Sequence, residues 1–182
     1  MQVQKTGILD CFIIEPRVFE DKRGYFFESY SQSNFEELTG ITSNFVQDNE
    51  SFSSKGVLRG LHFQKGKHAQ AKLVRVVDGE VLDVAVDIRP ESPTFGKAVS
   101  TLLSSKNRKQ MYVPRGCAHG FVTLSDTATF FYKCDNYYNP GSDSGFIYND
   151  PTVGIEWPDL GSDLVISGKD KNLSSFESAY KF

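Results

Sequence analysis

Histidine is scarce in this chain, three in 182 residues, and two of them sit where they could do chemistry. His62 interrupts GVLRGLHFQ, an apolar, glycine-rich run at 56–64, and His119 closes the run PRGCAH. An imidazole titrates near neutrality, so a His62 that faced a cavity would be a natural general base. It would need a carboxylate or carbonyl on its other ring nitrogen to fix the tautomer, and a substrate proton worth removing. Carbon beside a ketone qualifies when a cation or a hydrogen-bond donor stabilises the enolate oxygen. Lys72 shares a strand face with Val74 and Val76 and could be that cation, although a strand-end lysine reaching solvent is the commoner case. An inward Tyr132, protonated at neutral pH, could return a proton from the opposite side. A lone strand histidine is more often structural than catalytic, so pattern alone leaves both readings open.

The elements that must position these groups are mostly strands. In KLVRVVDGEVLDVAVDI, residues 72–88, Leu82, Val84, Val86 and Ile88 alternate with Val81, Asp83, Ala85 and Asp87. Asp78-Gly79 between two β-branched runs is a strong hairpin signal. Further strands are predicted at Gly24–Tyr30, Phe45–Ser53, Gly56–Gln64, Lys97–Leu103, Gln110–Val113, Gly120–Leu124 and Thr127–Asp135. Short helices are predicted at Ser33–Leu38, with Ser33 as cap and Glu36 three residues on, and near the C-terminus. Many short strands parted by turn residues predict an all-β antiparallel sandwich or barrel enclosing a cavity. Strict alternation would send Arg59 and His62 to opposite faces. Either Gly60 marks a bulge or bend, or Arg59 lies at the strand end.

Length and composition suit one domain spanning 1–182, with no repeat, linker or low-complexity tract. With 39% hydrophobic residues and 24% charged ones, at a net charge of −3, the chain can bury a core. The interspersed charge argues against a nucleic-acid or anionic-membrane surface. No run approaches the roughly 18 apolar residues of a membrane span, and the N-terminus lacks a signal-peptide core. Cys11, Cys117 and Cys134 form no CxxC pair and read as free thiols of a reducing, cytoplasmic compartment.

PRGCAHG at 114–120 fits the P-x-G-x-x-H pattern of the second cupin motif. Metal-binding cupins carry H-x-H in the first motif, where this chain has His62-Phe63-Gln64. A neutral amide is a poor substitute for imidazole or carboxylate, so no metal and no cofactor are expected. Taken together and in order, LRGLHFQ, HAQAKLVRVVDGEVLDVAVDIR, SPTFGK, VPRGCAHGF, YKCDNYYNP, DPTVGIEWP and SGKD resemble the dTDP-4-dehydrorhamnose 3,5-epimerases, from about Thr6 to Asp170. The resemblance implies a double-stranded β-helix, or jelly-roll cupin barrel, with a few short peripheral helices and no metal. It implies a homodimer acting on dTDP-4-dehydro-6-deoxy-glucose, whose C3 and C5 flank the C4 ketone.

By the same resemblance His62 is the base, Asp170 its carboxylate partner, Lys72 the stabiliser of the enolate at O4, and Tyr132 the acid on the other face. Arg23 and Glu28 of DKRGYFFE would reach the site from the neighbouring subunit. Gln47, Asp48 and Asn49 would lie near the sugar nucleotide, Arg59 against the diphosphate, and His119 beside the substrate. Tyr138 would stack on the thymine, and Lys169 would sit by Asp170. Two departures stand out. Gly141-Ser142-Asp143 replaces a common Glu-His-Glu, so Asp143, one methylene short, is a doubtful substrate contact. Lys65-Gly66-Lys67 replaces an often proline-rich stretch and is expected to be looser. The closest rival is an enzyme that epimerises only C3 or only C5 of a related sugar. More distant ones are a catalytically silent sugar-nucleotide binder and a metal-dependent cupin isomerase or dioxygenase.

Overall fold

The computed structural model describes residues 1–182. Its elements run β1 (Gln2–Lys5), β2 (Phe12–Glu15), β3 (Val18–Asp21), β4 (Gly24–Phe27), α1 (Gln32–Thr39), β5 (Gln47–Ser54), β6 (Val57–Gln64), β7 (Lys72–Asp78) and β8 (Glu80–Asp87). They continue with β9 (Ala98–Ser104), β10 (Gln110–Val113), β11 (Cys117–Thr123), β12 (Thr127–Cys134), β13 (Asp143–Gly145), β14 (Val165–Ile166) and α2 (Gly168–Lys171). One sheet has the order β1-β2-β10-β7-β12-β5, and the facing sheet β13-β6-β11-β8-β9, with β14 added parallel to β6. The hairpin expected at Asp78-Gly79 does not form: β7 pairs with β10 and β12 and β8 with β11 and β9, so the turn there crosses between the two sheets. Gly79 has φ +79°, and a Cβ there would lie 2.1 Å from the Thr127 carbonyl oxygen, so only glycine fits.

The strand period decides what enters the space between the sheets. Val74, Val76, Val81, Ala85, Phe121 and Phe130 meet there as the main core. Strand β8 is buried on both faces, because Val84, Val86 and Ile88 pack outward against Phe146, Phe176 and Ala179 from the C-terminal segment. Asp83 shares the inward face with Val81 and Ala85 and is fully buried. Outside the first sheet, Phe35 of α1 packs on Tyr112 with ring centres 5.1 Å apart, among Phe12, Ile14 and Leu73.

The helix cap differs from expectation. Ser31, not Ser33, is the N-cap, with extended backbone and its side chain accepting from Asn34 N. A cap must precede the first helical residue, and the helix starts at Gln32, ahead of Ser33. Glu36 does not reach back as in a capping box; it accepts from Gln32 Nε2 at 3.0 Å. The parity problem at β6 is resolved by a bulge. His119 pairs with His62 and Phe121 with Arg59, so β6 spends one more residue than β11 over the same step. That extra residue returns Arg59 and His62 to the same face. Gly60 makes the bulge possible, since at φ +127° an added Cβ would sit 2.6 Å from Gly120 Cα.

Candidate active site

A cavity of about 540 Å³ opens between the sheets, lined by Arg59, His62, Lys72, His119, Tyr132 and Asp170 among others. The second sheet supplies Arg59 and His62 from β6 and His119 from β11. The first supplies Lys72, the opening residue of β7, and Tyr132 of β12. Asp170 comes from α2, whose cap Ser167 accepts from Asp170 N at 3.0 Å and so fixes the helix beside β6. A second cavity of about 190 Å³ shares His62, Lys72, Tyr132 and Lys169 and adds Gln64, Gln70, Tyr138 and Asp143. Substrate-sized space therefore extends from Arg59 past the titratable groups to Tyr138.

His62 Nε2 lies 2.7 Å from Asp170 Oδ1, and Asp170 Oδ2 accepts from Gly60 N at 3.3 Å. Burial works against the Asp170 charge, but the bonds from His62 and Gly60 outweigh it and hold the carboxyl below its ordinary range. An ionised partner on Nε2 stabilises an imidazolium once the ring takes a proton, and it leaves Nδ1 as the free nitrogen.

Burial lowers the pKa of the Lys72 ammonium, opposed by the charges of Cys134, Asp83 and Asp143. Burial pushes the Cys134 thiol itself up to about 11, so at neutral pH it is uncharged, and burial also raises the pKa of Asp83. The ammonium lies 5.7 Å from the Tyr132 ring centre, within cation–π range. Burial raises the Tyr132 pKa, which keeps the phenol a proton donor. A base with its carboxylate, a buried cation and a buried phenol around one cavity can remove a proton from carbon, hold the enolate and return a proton.

Other candidates are placed as follows. Arg59 donates from Nε to Ser53 Oγ at 3.0 Å and from Nη2 to the Phe52 carbonyl at 3.1 Å, which sets its guanidinium at the cavity wall. Gln47 and Asn49 face inward from β5, joined by Gln47 Nε2 to Asn49 Oδ1 at 3.0 Å, and Gln47 Oε1 accepts from Tyr138 N at 3.0 Å. Asp48, between them, points outward and pairs with Lys133 at 3.0 Å, as the period of two requires. Asp143 is not left idle by its shorter side chain. It pairs with Lys169, and Tyr138 Oη lies 3.4 Å from it. Arg23 and Glu28 are not brought to the cavity of their own chain. Arg23 is held by Asp21 on the exposed β3–β4 hairpin, and Glu28 accepts from Asn34 Nδ2 at 2.7 Å.

The loop at 65–67 is not loose. Lys65 N donates to the Ser142 carbonyl at 2.8 Å, His68 Nδ1 and Ser142 Oγ are 2.8 Å apart, and Asn136 Nδ2 donates to the Lys67 carbonyl at 3.0 Å. Sequence reasoning missed Asp83, whose Oδ1 lies 2.9 Å from His119 Nε2. The signal was an aspartate alternating with Val81 and Ala85 on a strand buried on both sides.

An antiparallel jelly roll of the cupin type with acid–base groups facing its interior defines the class. The family described as dTDP-4-dehydrorhamnose 3,5-epimerase matches residues 5–178. A dTDP-4-dehydrorhamnose 3,5-epimerase of Salmonella typhimurium is 60% identical over 158 residues, covering 87% of this chain and 86% of its own. The crystal structure of such an epimerase from Elizabethkingia anophelis superposes with a TM-score of 0.95 at 56% identity, covering 99% of both chains. A Legionella pneumophila epimerase in complex with dTDP-4-keto-L-rhamnose superposes at 0.93 with 49% identity, covering 97% of this chain and 93% of its own. The chain belongs to the dTDP-4-dehydrorhamnose 3,5-epimerase family.

Proposed function

We propose that this enzyme inverts C3 and C5 of dTDP-4-dehydro-6-deoxy-D-glucose to give dTDP-4-dehydro-L-rhamnose. The observation that carries the reading is the His62–Asp170 pair at 2.7 Å around a cavity it shares with Lys72 and Tyr132. In each inversion His62 Nδ1 takes the proton from a carbon next to the C4 ketone, and the C–H electron pair moves into the enolate. Lys72 stabilises the charge on O4. Tyr132 then gives its proton to the same carbon from the opposite face, leaving imidazolium and tyrosinate. A second inversion requires His62 to lose its proton and Tyr132 to regain one, so two inversions need two resets. General acid–base help of this kind contributes about 10²–10⁴-fold, and a positioned oxyanion partner roughly 10²–10³-fold.

The nucleotide half occupies the remaining length of the cavity. Arg59 faces the diphosphate, for which a forked guanidinium is suited. Tyr138, half-exposed, stacks on the base, flanked by Gln47 and Asn49, and Asp143 and Lys169 form one wall of the same end. Arg23 and Glu28 act on the neighbouring subunit of a homodimer. Support for that comes from the hairpin that carries Arg23 in its turn and runs into Glu28, which leaves Phe19, Tyr25 and Phe26 at 51%, 59% and 69% exposure, more apolar surface than a lone hairpin should show. No helix is long and apolar enough to cross a membrane, in keeping with one domain over 1–182 that works in the cytoplasm on a small dTDP-sugar.

The test is a coupled assay, in which product made from dTDP-4-dehydro-6-deoxy-glucose is offered to a dTDP-4-dehydrorhamnose reductase. Reductase turnover that depends on this protein, and is lost with His62→Ala, is the expected result. Full turnover with His62→Ala would overturn the assignment of the base.

A further inference from the structure

The third histidine has no part in the reaction as described, yet it sits where two segments that wall the cavity meet. His68 lies midway along the loop 65–71 between β6 and β7, and its ring meets the turn that follows Tyr138. Nδ1 is 2.8 Å from Ser142 Oγ, and Nε2 is 3.4 Å from Asn139 Nδ2. Two further bonds join the same segments. Lys65 N donates to the Ser142 carbonyl at 2.8 Å, and Asn139 N donates to Gln64 Oε1 at 2.9 Å. Gln64, Tyr138 and Asp143 all line the smaller cavity.

The neighbours of the ring decide its tautomer. Asn139 Oδ1 accepts from Gly141 N at 2.9 Å and caps the single turn Pro140–Ser142. That fixes the amide, so Nδ2 is the group presented to His68, and Nε2 must accept from it. The ring proton then sits on Nδ1 and is donated to the Ser142 hydroxyl. A second proton would set an N–H on Nε2 against the Asn139 amide N–H. Turning that amide over would suit the imidazolium but would undo the cap on Gly141 N. No carboxylate is free to stabilise the added charge. Asp135 is held by Arg115 at 2.8 Å and by Ala71 N, and Asp143 by Lys169, with the Tyr138 hydroxyl 3.4 Å away. On the ring's own loop Lys65 and Lys67 are both cations.

We propose that His68 is a positioning residue, which as a neutral imidazole protonated on Nδ1 pins the 139–142 turn to the 65–71 loop, so sets Tyr138 for the nucleotide base, and releases Asn139 when the ring is protonated. Tyr138 has little else to hold it: its amide donates to Gln47 Oε1 at 3.0 Å, and its side chain is half-exposed. His68 therefore acts on nucleotide affinity and leaves His62, Lys72 and Tyr132 where they are. Affinity falls on acidification through the imidazole range. The effect through Tyr138 rests on the epimerase reading; the tautomer of His68 does not.

The ring is read first, by NMR of uniformly ¹⁵N-labelled protein at neutral pH, with His68→Gln assigning the signal by its loss. The expected state is one neutral tautomer protonated on Nδ1. A proton on Nε2 would overturn the proposal whatever the variants do. Binding is then measured with dTDP between about pH 8 and about pH 5.5, across the imidazole range. At neutral pH His68→Leu should bind dTDP about tenfold more weakly, the weight of one hydrogen bond, and should raise KM with little change in kcat. His68→Gln offers an oxygen to Asn139 and an N–H to Ser142 without titrating, so it should restore most of the affinity. The ratio of dissociation constants, unsubstituted protein over His68→Gln, cancels the titration of dTDP and of His62. It should rise toward acid by about the same tenfold. A flat ratio, or unchanged dTDP affinity in His68→Leu, contradicts the proposal. Failure of the unsubstituted protein to bind dTDP at all would sink the nucleotide reading and the effect through Tyr138, and the ¹⁵N tautomer would still decide the bond to Asn139.

Discussion

His62 and His119 are direct cross-strand partners on β6 and β11, and a single bulge at Gly60 is what puts Arg59 on the cavity side together with His62. Without the extra residue in β6, alternation would turn either Arg59 or His62 away. The shared orientation of His62 and Arg59 therefore depends on one glycine.

That dependence is testable in Gly60→Ala. The positive φ alone should cost roughly 1–3 kcal/mol, and the 2.6 Å approach to Gly120 Cα adds to it. Thermal melts should show a large loss of stability together with loss of activity. A melting temperature within a degree or two of the unsubstituted protein would refute the bulge as the device that orients β6.

Asp170 gives a pH signature. Its folded-state pKa lies below the ordinary value, so its contribution to stability is present above the unfolded pKa of about 4 and is lost as pH falls through the folded value. Unfolding free energies of the unsubstituted protein and Asp170→Asn should differ at neutral pH and converge on acidification below about 4. A gap that persists in acid would mean that the carboxylate charge is not what Asp170 contributes.

Tyr132→Phe separates removal of the proton from its return. The base and the Lys72 cation remain, so solvent exchange into the sugar should continue while inversion slows by about 10²-fold or more. Inversion at the normal rate would remove Tyr132 as the acid. Loss at one carbon only would assign it to that centre.

The cysteines yield an inexpensive check. Cys11, Cys117 and Cys134 are free and buried, and burial pushes Cys11 up to about 12 and Cys134 up to about 11. A disulfide reagent at neutral pH should therefore label none of them in native protein and all three after denaturation. Rapid labelling of the native protein would contradict the placement of Cys134 behind the cavity.

Much of this was readable in the chain. The turn at Asp78-Gly79 and the strand at Gln110–Val113 follow from alternation and turn chemistry, and the central strands fall within a few residues of their predicted ends, but the strands on either side of that turn join different sheets instead of pairing as a hairpin. Strands β1 to β3 escaped because QVQK and VFED carry little apolar signal and FIIE lacks alternation. The four chemical residues were suggested by type and by resemblance, but Asp170 could not be joined to His62 by spacing, being 108 positions away and delivered by a short helix. Asp83 was hidden by its own strand. When both faces are buried, alternation no longer says which side is the interior, and Asp83, in step with Asp87, looks like part of the outer face.

The most direct test of the whole account is incubation with dTDP-4-dehydro-6-deoxy-glucose in D₂O, following H3 and H5 by NMR. The account predicts that both signals disappear in the presence of the enzyme and that His62→Ala abolishes both losses. Loss of one signal alone would make this a single-centre epimerase with the same four groups. Retention of both would contradict proton abstraction by His62.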